Sequence, residues 1–287
     1  MSEPKQARNA ILTEAQIKAF QDDGAVVIRD VLDADLLARL EQLVEDVLPQ
    51  ARSMAKYDTD RNDGRQRKVE DATFLSDFNW MTHPTARDIF FNSAIVQIAA
   101  EGMRTKHVRL YEDLLMYRRP GSETPTPWHQ DSPLWPMEGE QMCSIWFSLN
   151  RMTPEAGALR FIAGSHKGPA YMQYVPKSRK EAAGAESENA VGQQMPQIEG
   201  HEDRFKILTF STEPSDVILF SPKAIHATYG ATSGFPKRSF SIRYLGDDIR
   251  WAPKPFGTFH RWMQELPLKP GDAMAHERFP QVWPRAQ

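Results

Sequence analysis

Residues 107–118, H-V-R-L-Y-E-D-L-L-M-Y-R, mark the point at which the hydrophobic pattern of this chain changes period. Before them apolar residues recur at helical spacing; from His107 onward the period is two, as in strands. Strand candidates follow at short intervals, at 126–131, 142–150, 159–163, 205–211, 216–220 and 238–245. Closely spaced strands with Gly and Pro breaks and no helices between them argue against a parallel βαβ sheet. They predict a β-sandwich or barrel, with a jelly roll as its natural form.

Upstream of this run the pattern is helical. Thr13 with Gln16 three positions on makes a capping box that opens an amphipathic helix, and Gly24 ends it. A short strand, A-V-V-I-R, follows. Asp33 then caps a second helix whose Leu36, Leu37, Leu40, Leu43, Val44 and Val47 form an apolar stripe. A third helix is predicted from Ser93 to Met103, while Phe74, Phe78 and Trp80 lie in a stretch with no clean period and read as packing under a loop or bordering a pocket.

The whole chain, 1–287, is expected to be one domain. Residues 1–12 are polar and flexible, 13–105 give mostly helical support, 106–245 form the jelly-roll core, and 246–287 are a C-terminal tail. Within the core, 176–204 is too long and too polar for an ordinary connection, so it reads as an insertion, a lid or a disordered loop. Six prolines and three tryptophans in the tail rule out one long helix and imply docking on the body of the chain or on a second copy, a homo-oligomer.

Composition removes several function classes. A net charge of −3 gives no reason to expect nucleic acid or an anionic membrane as partner, and no apolar run approaches the length needed to span a bilayer. The first ten residues lack the apolar centre of a signal peptide, and the single cysteine, Cys143, permits no internal disulfide. A cytoplasmic protein acting on a small molecule is the expectation.

The chemistry gathers at Pro127–Pro133, P-W-H-Q-D-S-P. On an extended strand His129 and Asp131 would share a face, and an imidazole beside a carboxylate supplies two of the three ligands in the facial triad of non-haem iron(II) oxygenases. Alone, H-x-D is common. The best third ligand is His226, just past the apolar run D-V-I-L-F and a Ser-Pro break, and Arg238 opens the next strand twelve positions later. That order is far more specific than the tripeptide.

Several segments together resemble the phytanoyl-CoA dioxygenase-like branch of the Fe(II)- and 2-oxoglutarate-dependent oxygenases. They are T-P-W-H-Q-D-S-P, I-W-F-S-L-N, E-A-G-A-L-R-F-I-A-G-S-H-K, D-V-I-L-F-S-P-K-A-I-H-A-T and K-R-S-F-S-I-R-Y, in the family's order between about Thr13 and Tyr244. The resemblance implies a mainly β, cupin-like double-stranded β-helix with the N-terminal helices packed outside. It implies Fe(II), 2-oxoglutarate and O₂ as cofactor and co-substrates, and hydroxylation or desaturation of an unactivated C–H bond with release of succinate and CO₂.

The resemblance makes His129, Asp131 and His226 the metal ligands, and Arg238 the anchor of the distal carboxylate of 2-oxoglutarate. Thr228 and Trp146 match supporting positions. Family members often carry a polar group shortly before the H-x-D loop, where this chain has Tyr117, Arg118 and Arg119; Tyr117 is the working assignment and the other two stay open. Arg243 lies an odd number of positions from Arg238, so the two should face opposite sides of one sheet. With Arg238 inward, Arg243 would be a surface or salt-bridge residue.

Two other classes compete. A non-catalytic jelly-roll protein that binds a small ligand would not need Asp131, His226 and Arg238 together. A metal-dependent hydrolase would not need the arginine, and no general-base glutamate adjoins the triad in sequence.

Overall fold

The computed structural model describes residues 10–53, 73–120, 125–171, 193–230, 234–254 and 261–284. Helix α1, Glu14–Asp23, starts where Thr13 and Gln16 cap each other reciprocally and stops at Gly24 with φ 84°. Glycine is needed there twice over, since a Cβ would also lie 2.5 Å from the His166 ring. Strand β1, Ala25–Ile28, leads to α2, Ala34–Val47, opened by the Asp33 carboxylate on the Leu36 amide. Leu36, Leu40, Leu43, Val44 and Val47 form its buried stripe.

The connection after α2 contains more order than its sequence announces. β2 covers Thr73–Asp77 and α3 covers Pro84–Asn92, directly before α4, Ala94–Met103. A proline at the first turn of α3 costs no hydrogen bond, which is why it starts the helix and does not break it.

The strand-rich part follows as β3 (Val108–Arg118), β4 (Met142–Ser148), β5 (Leu159–Ile162), β6 (Ile207–Thr209), β7 (Val217–Phe220), β8 (His226–Thr228), β9 (Lys237–Leu245) and β10 (Gln281–Trp283). An eight-stranded antiparallel sheet runs β1-β7-β4-β9-β3-β2 and on to the Arg52–Ser53 pair, with β10 also on β3. Facing it is a three-stranded sheet, β8-β5-β6. This is the expected mainly β, double-stranded β-helix with flanking helices. The strand expected at 126–131 is absent: only His129 forms a bridge, and Asp131 has helical angles at the start of a 3₁₀ turn, Ser132–Leu134.

The helices cover the outer face of the large sheet. Phe240, Ile242 and Tyr244 of β9 join Phe147, Ile145 and Leu115 in a core shared with Leu40, Leu43, Phe90 and Ile98. The Tyr244 hydroxyl donates to the Phe90 carbonyl at 2.9 Å, so the one polar atom on that face is satisfied. Each such side chain removed from water contributes roughly 1.5–3 kcal/mol, which fixes this face of β9 against the helices. Its other face must then look into the barrel.

Two expectations about the ends of the chain meet the structure. Within 1–12, residues up to 9 lie outside the described residues, and beyond them the chain is held: the Glu101 carboxylate accepts from the amides of Ile11 and Leu12 at 3.0 and 2.8 Å. The tail packs on the body, where Trp251, Met263, Met274 and Phe279 form a second core with Tyr111, Trp135, Met137 and Leu245. Of the insertion 176–204, the part up to residue 192 lies outside the described residues.

Candidate active site

Two histidines meet across a backbone bridge. The His129 amide donates to the His226 carbonyl at 2.9 Å and the His226 amide to the His129 carbonyl at 2.8 Å, so the two imidazoles project from opposed positions. Their ring centroids are 4.1 Å apart. Asp131 is brought in by the turn that follows, whose Asp131 and Ser132 amides both donate to the Pro222 carbonyl. Between them Gln130, 3% exposed, donates to the Lys223 carbonyl and accepts from the Tyr171 amide, which pins the loop. Hydrogen bonds to the β7–β8 connection, and not strand alternation, set the His–Asp spacing.

The tautomers follow from the partners. Nδ1 of His129 lies 2.9 Å from the Pro127 carbonyl, and Nδ1 of His226 lies 2.9 Å from the Ala224 carbonyl. A carbonyl can only accept, so both Nδ1 atoms carry hydrogen, and in the neutral form of each ring the Nε2 lone pair faces inward. Asp131 Oδ1 is 3.4 Å from one Nε2 and 4.0 Å from the other. All three donor atoms lie within 4.8 Å of one another. Metal–donor bonds of roughly 2.1 Å at right angles would put neighbouring donors about 3 Å apart, so a small contraction closes this set on a first-row cation.

Electrostatics suit a divalent ion. Burial, aided by the charge of His129, pushes His226 down to about 4, so its imidazole is neutral at neutral pH. Burial acts to raise the Asp131 carboxyl, but the Arg243 guanidinium and both histidines outweigh it and hold that group well below the usual carboxylate range. Burial acts to lower His129 as well, but the Asp131 carboxylate, by hydrogen bond and by charge, and the Pro127 carbonyl together outweigh it and raise the group, so a cation binding there displaces a proton. A neutral imidazole and an ionised carboxylate are the forms that ligate.

A cavity of about 220 Å³ leads inward from the triad, with Leu114, Met116, Trp146, Leu159 and Phe220 among its walls. Thr228 and Trp146 line it as expected, and the Thr228 hydroxyl oxygen accepts from the Thr126 amide at 2.8 Å. The expected anchor does not line it. Arg238 lies on the opposite face of β9, toward α2, with Glu41 3.7 Å away. Tyr117 is likewise on the outer face of its strand, edge-on to Phe74 of β2. Both corrections have one cause. Neighbouring residues of a strand point to opposite faces, so Lys237, Ser239, Ser241 and Arg243 line the cavity, along with Arg118 in place of Tyr117.

Lys237 occupies the far end from the triad. It is 6% exposed, its ammonium donates to the Gly157 carbonyl at 2.7 Å and lies 5.6 Å from the centre of the Trp146 ring, and no carboxylate among the described residues pairs with it. Across the strand pair stands Arg118, a second cation, whose Nη2 donates to Thr126 Oγ1 at 2.8 Å. Along the wall between, the Ser239 hydroxyl is buried without a hydrogen-bond partner among the described residues. Buried polar groups left in this state fit a polar, anionic ligand.

Other histidines lie outside this constellation. His166 sits against Gly24, its Nε2 3.1 Å from the Gln21 carbonyl, a structural link between barrel and α1. His107 and His83 each approach one surface carboxylate, Asp247 at 2.8 Å and Asp46 at 3.2 Å. Cys143 is buried, and burial pushes its thiol up.

Comparison with known proteins bears on the family of the chain. Among curated proteins the chain is 22% identical over 259 residues to a "Probable phytanoyl-CoA dioxygenase" of Caenorhabditis elegans, covering 84% of this chain and 77% of that one. It is 23% identical over 265 residues to the "Ectoine dioxygenase" of Sphingopyxis alaskensis, covering 87% and 81%. Of solved structures, the "non-heme alpha ketoglutarate dependent carbocyclase SnoK from nogalamycin biosynthesis" superposes with a TM-score of 0.71 at 19% identity, over 94% of this chain and 96% of that one. The S. alaskensis enzyme EctD "with 2-oxoglutarate and 5-hydroxyectoine" gives 0.65 at 21% identity, over 95% and 89%. At these identities the structures speak for the shared fold. The family model described as phytanoyl-CoA dioxygenase (PhyH) matches residues 20–239, most of the chain and all three triad residues, and the chain belongs to that family of 2-oxoglutarate-dependent non-haem iron dioxygenases.

Proposed function

We propose that this protein oxidises an unactivated C–H bond of a small-molecule metabolite, by hydroxylation or desaturation, with Fe(II) held by His129, Asp131 and His226 and 2-oxoglutarate consumed to succinate and CO₂. The observation that carries the reading is one cavity with a His-Asp-His cluster at one end and, at the other, a buried lysine that no carboxylate among the described residues pairs with. The triad would hold the iron, and the lysine suits the distal carboxylate of a 2-oxo acid. The solved relative from S. alaskensis, with Fe and with 2-oxoglutarate, supports the same pairing of cofactor and co-substrate.

When bound, the iron supplies the redox chemistry that couples oxidative decarboxylation of 2-oxoglutarate by O₂ to oxidation of the substrate. The chain's own residues do the positioning. Lys237 and Arg118 neutralise the distal carboxylate. The Thr228 hydroxyl, its oxygen already accepting from Thr126, has its hydrogen left to donate to the same group. The Ser239 hydroxyl offers a further donor along the way, and the apolar walls keep water from the reaction.

Oxygen-dependent release of succinate from 2-oxoglutarate on addition of Fe(II), stimulated by the true substrate in a metabolite screen, tests the class. A small-ligand-binding protein releases none, and a metal-dependent hydrolase would turn over without O₂ or 2-oxoglutarate.

Lys237 also predicts a pH dependence. Burial, with Arg118 nearby, pushes its ammonium down to about 7. Below that pH the charge is in place before the anion arrives. Above it, a proton must be taken up on binding, so the KM for 2-oxoglutarate should stay flat on the acid side and rise about tenfold per unit above about pH 7. Measuring KM between about pH 6 and pH 9 checks the sign; a KM that falls or stays level toward alkaline pH contradicts Lys237 as anchor.

A further inference from the structure

The cavity contains one more charged group than iron and a 2-oxo acid require. Arg243 is 9% exposed, stands next to the triad, and belongs to the same inward row of β9 as Lys237. Its Nη1 donates to Oε2 of Glu112, the residue directly opposite on β3, and its Nη2 lies 3.5 Å from Oδ2 of Asp131. The guanidinium is further placed by Trp135, whose ring centre is 5.3 Å from its central carbon.

The two oxygens of Asp131 therefore have different neighbours. Oδ1 faces both imidazole Nε2 atoms, at 3.4 and 4.0 Å, and Oδ2 faces the guanidinium. A carboxylate with both oxygens unheld can chelate a cation through two atoms and fill a position that a facial triad needs open. A planar guanidinium with donors on two edges can bridge two carboxylates at fixed separation, which an ammonium on a flexible stem cannot do.

We propose that Arg243 is a positioning residue that occupies Oδ2 of Asp131, so that this ligand offers the metal Oδ1 alone, and that Glu112 holds Arg243 in place. The proposal rests on the reading of the triad as an iron site. It accounts for a largely enclosed ion chain, Glu112–Arg243–Asp131, at the wall of a cavity that already has its cations for the co-substrate. Removing outer partners of metal ligands typically weakens metal binding by about 10–100-fold.

Charge must be separated from geometry in the test, because deleting a cation beside a metal site favours a divalent ion by Coulomb attraction alone. The double variant Glu112→Gln with Arg243→Met removes one charge of each sign and leaves the net charge around Asp131 unchanged. Metal-free full-length enzyme is titrated with Co(II), and its visible ligand-field bands report affinity and coordination together. In the double variant the Kd should rise about 10–100-fold and the bands should shift. Arg243→Lys, which keeps the charge without the planar fork, should fall between the two.

Unchanged Kd and unchanged bands in the double variant overturn the proposal. If that variant does not fold, as judged by circular dichroism and thermal melting, Arg243→Lys decides, and wild-type affinity with wild-type bands overturns it there. Failure of the underlying iron reading looks different: wild type and His226→Ala would then bind Co(II) equally.

Discussion

His226→Ala should lose iron-dependent succinate formation to background and bind Fe(II) or Co(II) far more weakly than wild type. Two of three ligands remain, and neither a histidine–carboxylate pair nor the surrounding apolar walls replace an imidazole at the third position. The fold should survive at some cost. His226 is buried, with its ring 5.0 Å from that of Phe220 and 5.8 Å from that of Phe161, so the variant loses packing as well as a ligand. A loss of about 0.5–3 kcal/mol is expected, because the backbone bridge to His129 does not depend on the side chain. Melting of the metal-free protein separates the two effects. Stoichiometric iron and normal turnover in a folded His226→Ala would remove the triad from the mechanism.

Lys237→Met should raise the KM for 2-oxoglutarate at least tenfold, while Arg238→Met should leave it within about twofold. A hydrogen bond to a charged partner contributes roughly 1.5–3 kcal/mol, and about 1.4 kcal/mol corresponds to a factor of ten. Methionine keeps the unbranched stem and its packing near Trp146, so the measured change reports the ammonium. Arg238 faces α2, and its contact with Glu41, itself on the exposed side of that helix, is of the kind that contributes roughly 0–1 kcal/mol. The adjacent pair thus makes a controlled comparison on one strand. An effect at Arg238 with none at Lys237 would reverse the assignment of the two faces.

The sequence made the architecture legible because its strongest signals are local. The capping box at Thr13 and the Asp33 cap predict α1 and α2, and the change of period at His107 predicts β3 to its last residue, Arg118. The triad was legible as well, though for a reason other than the one given. Strand geometry was expected to align His129 with Asp131, whereas a bridge and a turn do so through the Pro222 carbonyl.

Less legible was which face of β9 looks inward. Alternation shows that Arg238 and Arg243 oppose each other, and a one-residue choice then moves every side chain to the other face. The deciding information lay in the partners of the strand. Phe240, Ile242 and Tyr244 need an apolar cover, and the amphipathic helices upstream supply it. In a barrel wrapped by helices the polar row, Lys237, Ser239, Ser241 and Arg243, is the one left for the cavity. The same argument moves Tyr117 outward, to Phe74, and Arg118 inward. β2 was missed because the stretch from Phe74 to Trp80 has no period of its own and takes its form from pairing with β3.

β9 thereby divides two kinds of mutational tolerance between alternate residues of one strand. Phe240, Ile242 and Tyr244 answer to the fold, and changes there are paid for in yield and melting temperature. Ser239 and Ser241 line the cavity and touch neither the helices nor the triad side chains by any hydrogen bond among the described residues. A library confined to those two serines would search for acceptance of shorter or longer 2-oxo acids while leaving the core that folds the protein untouched.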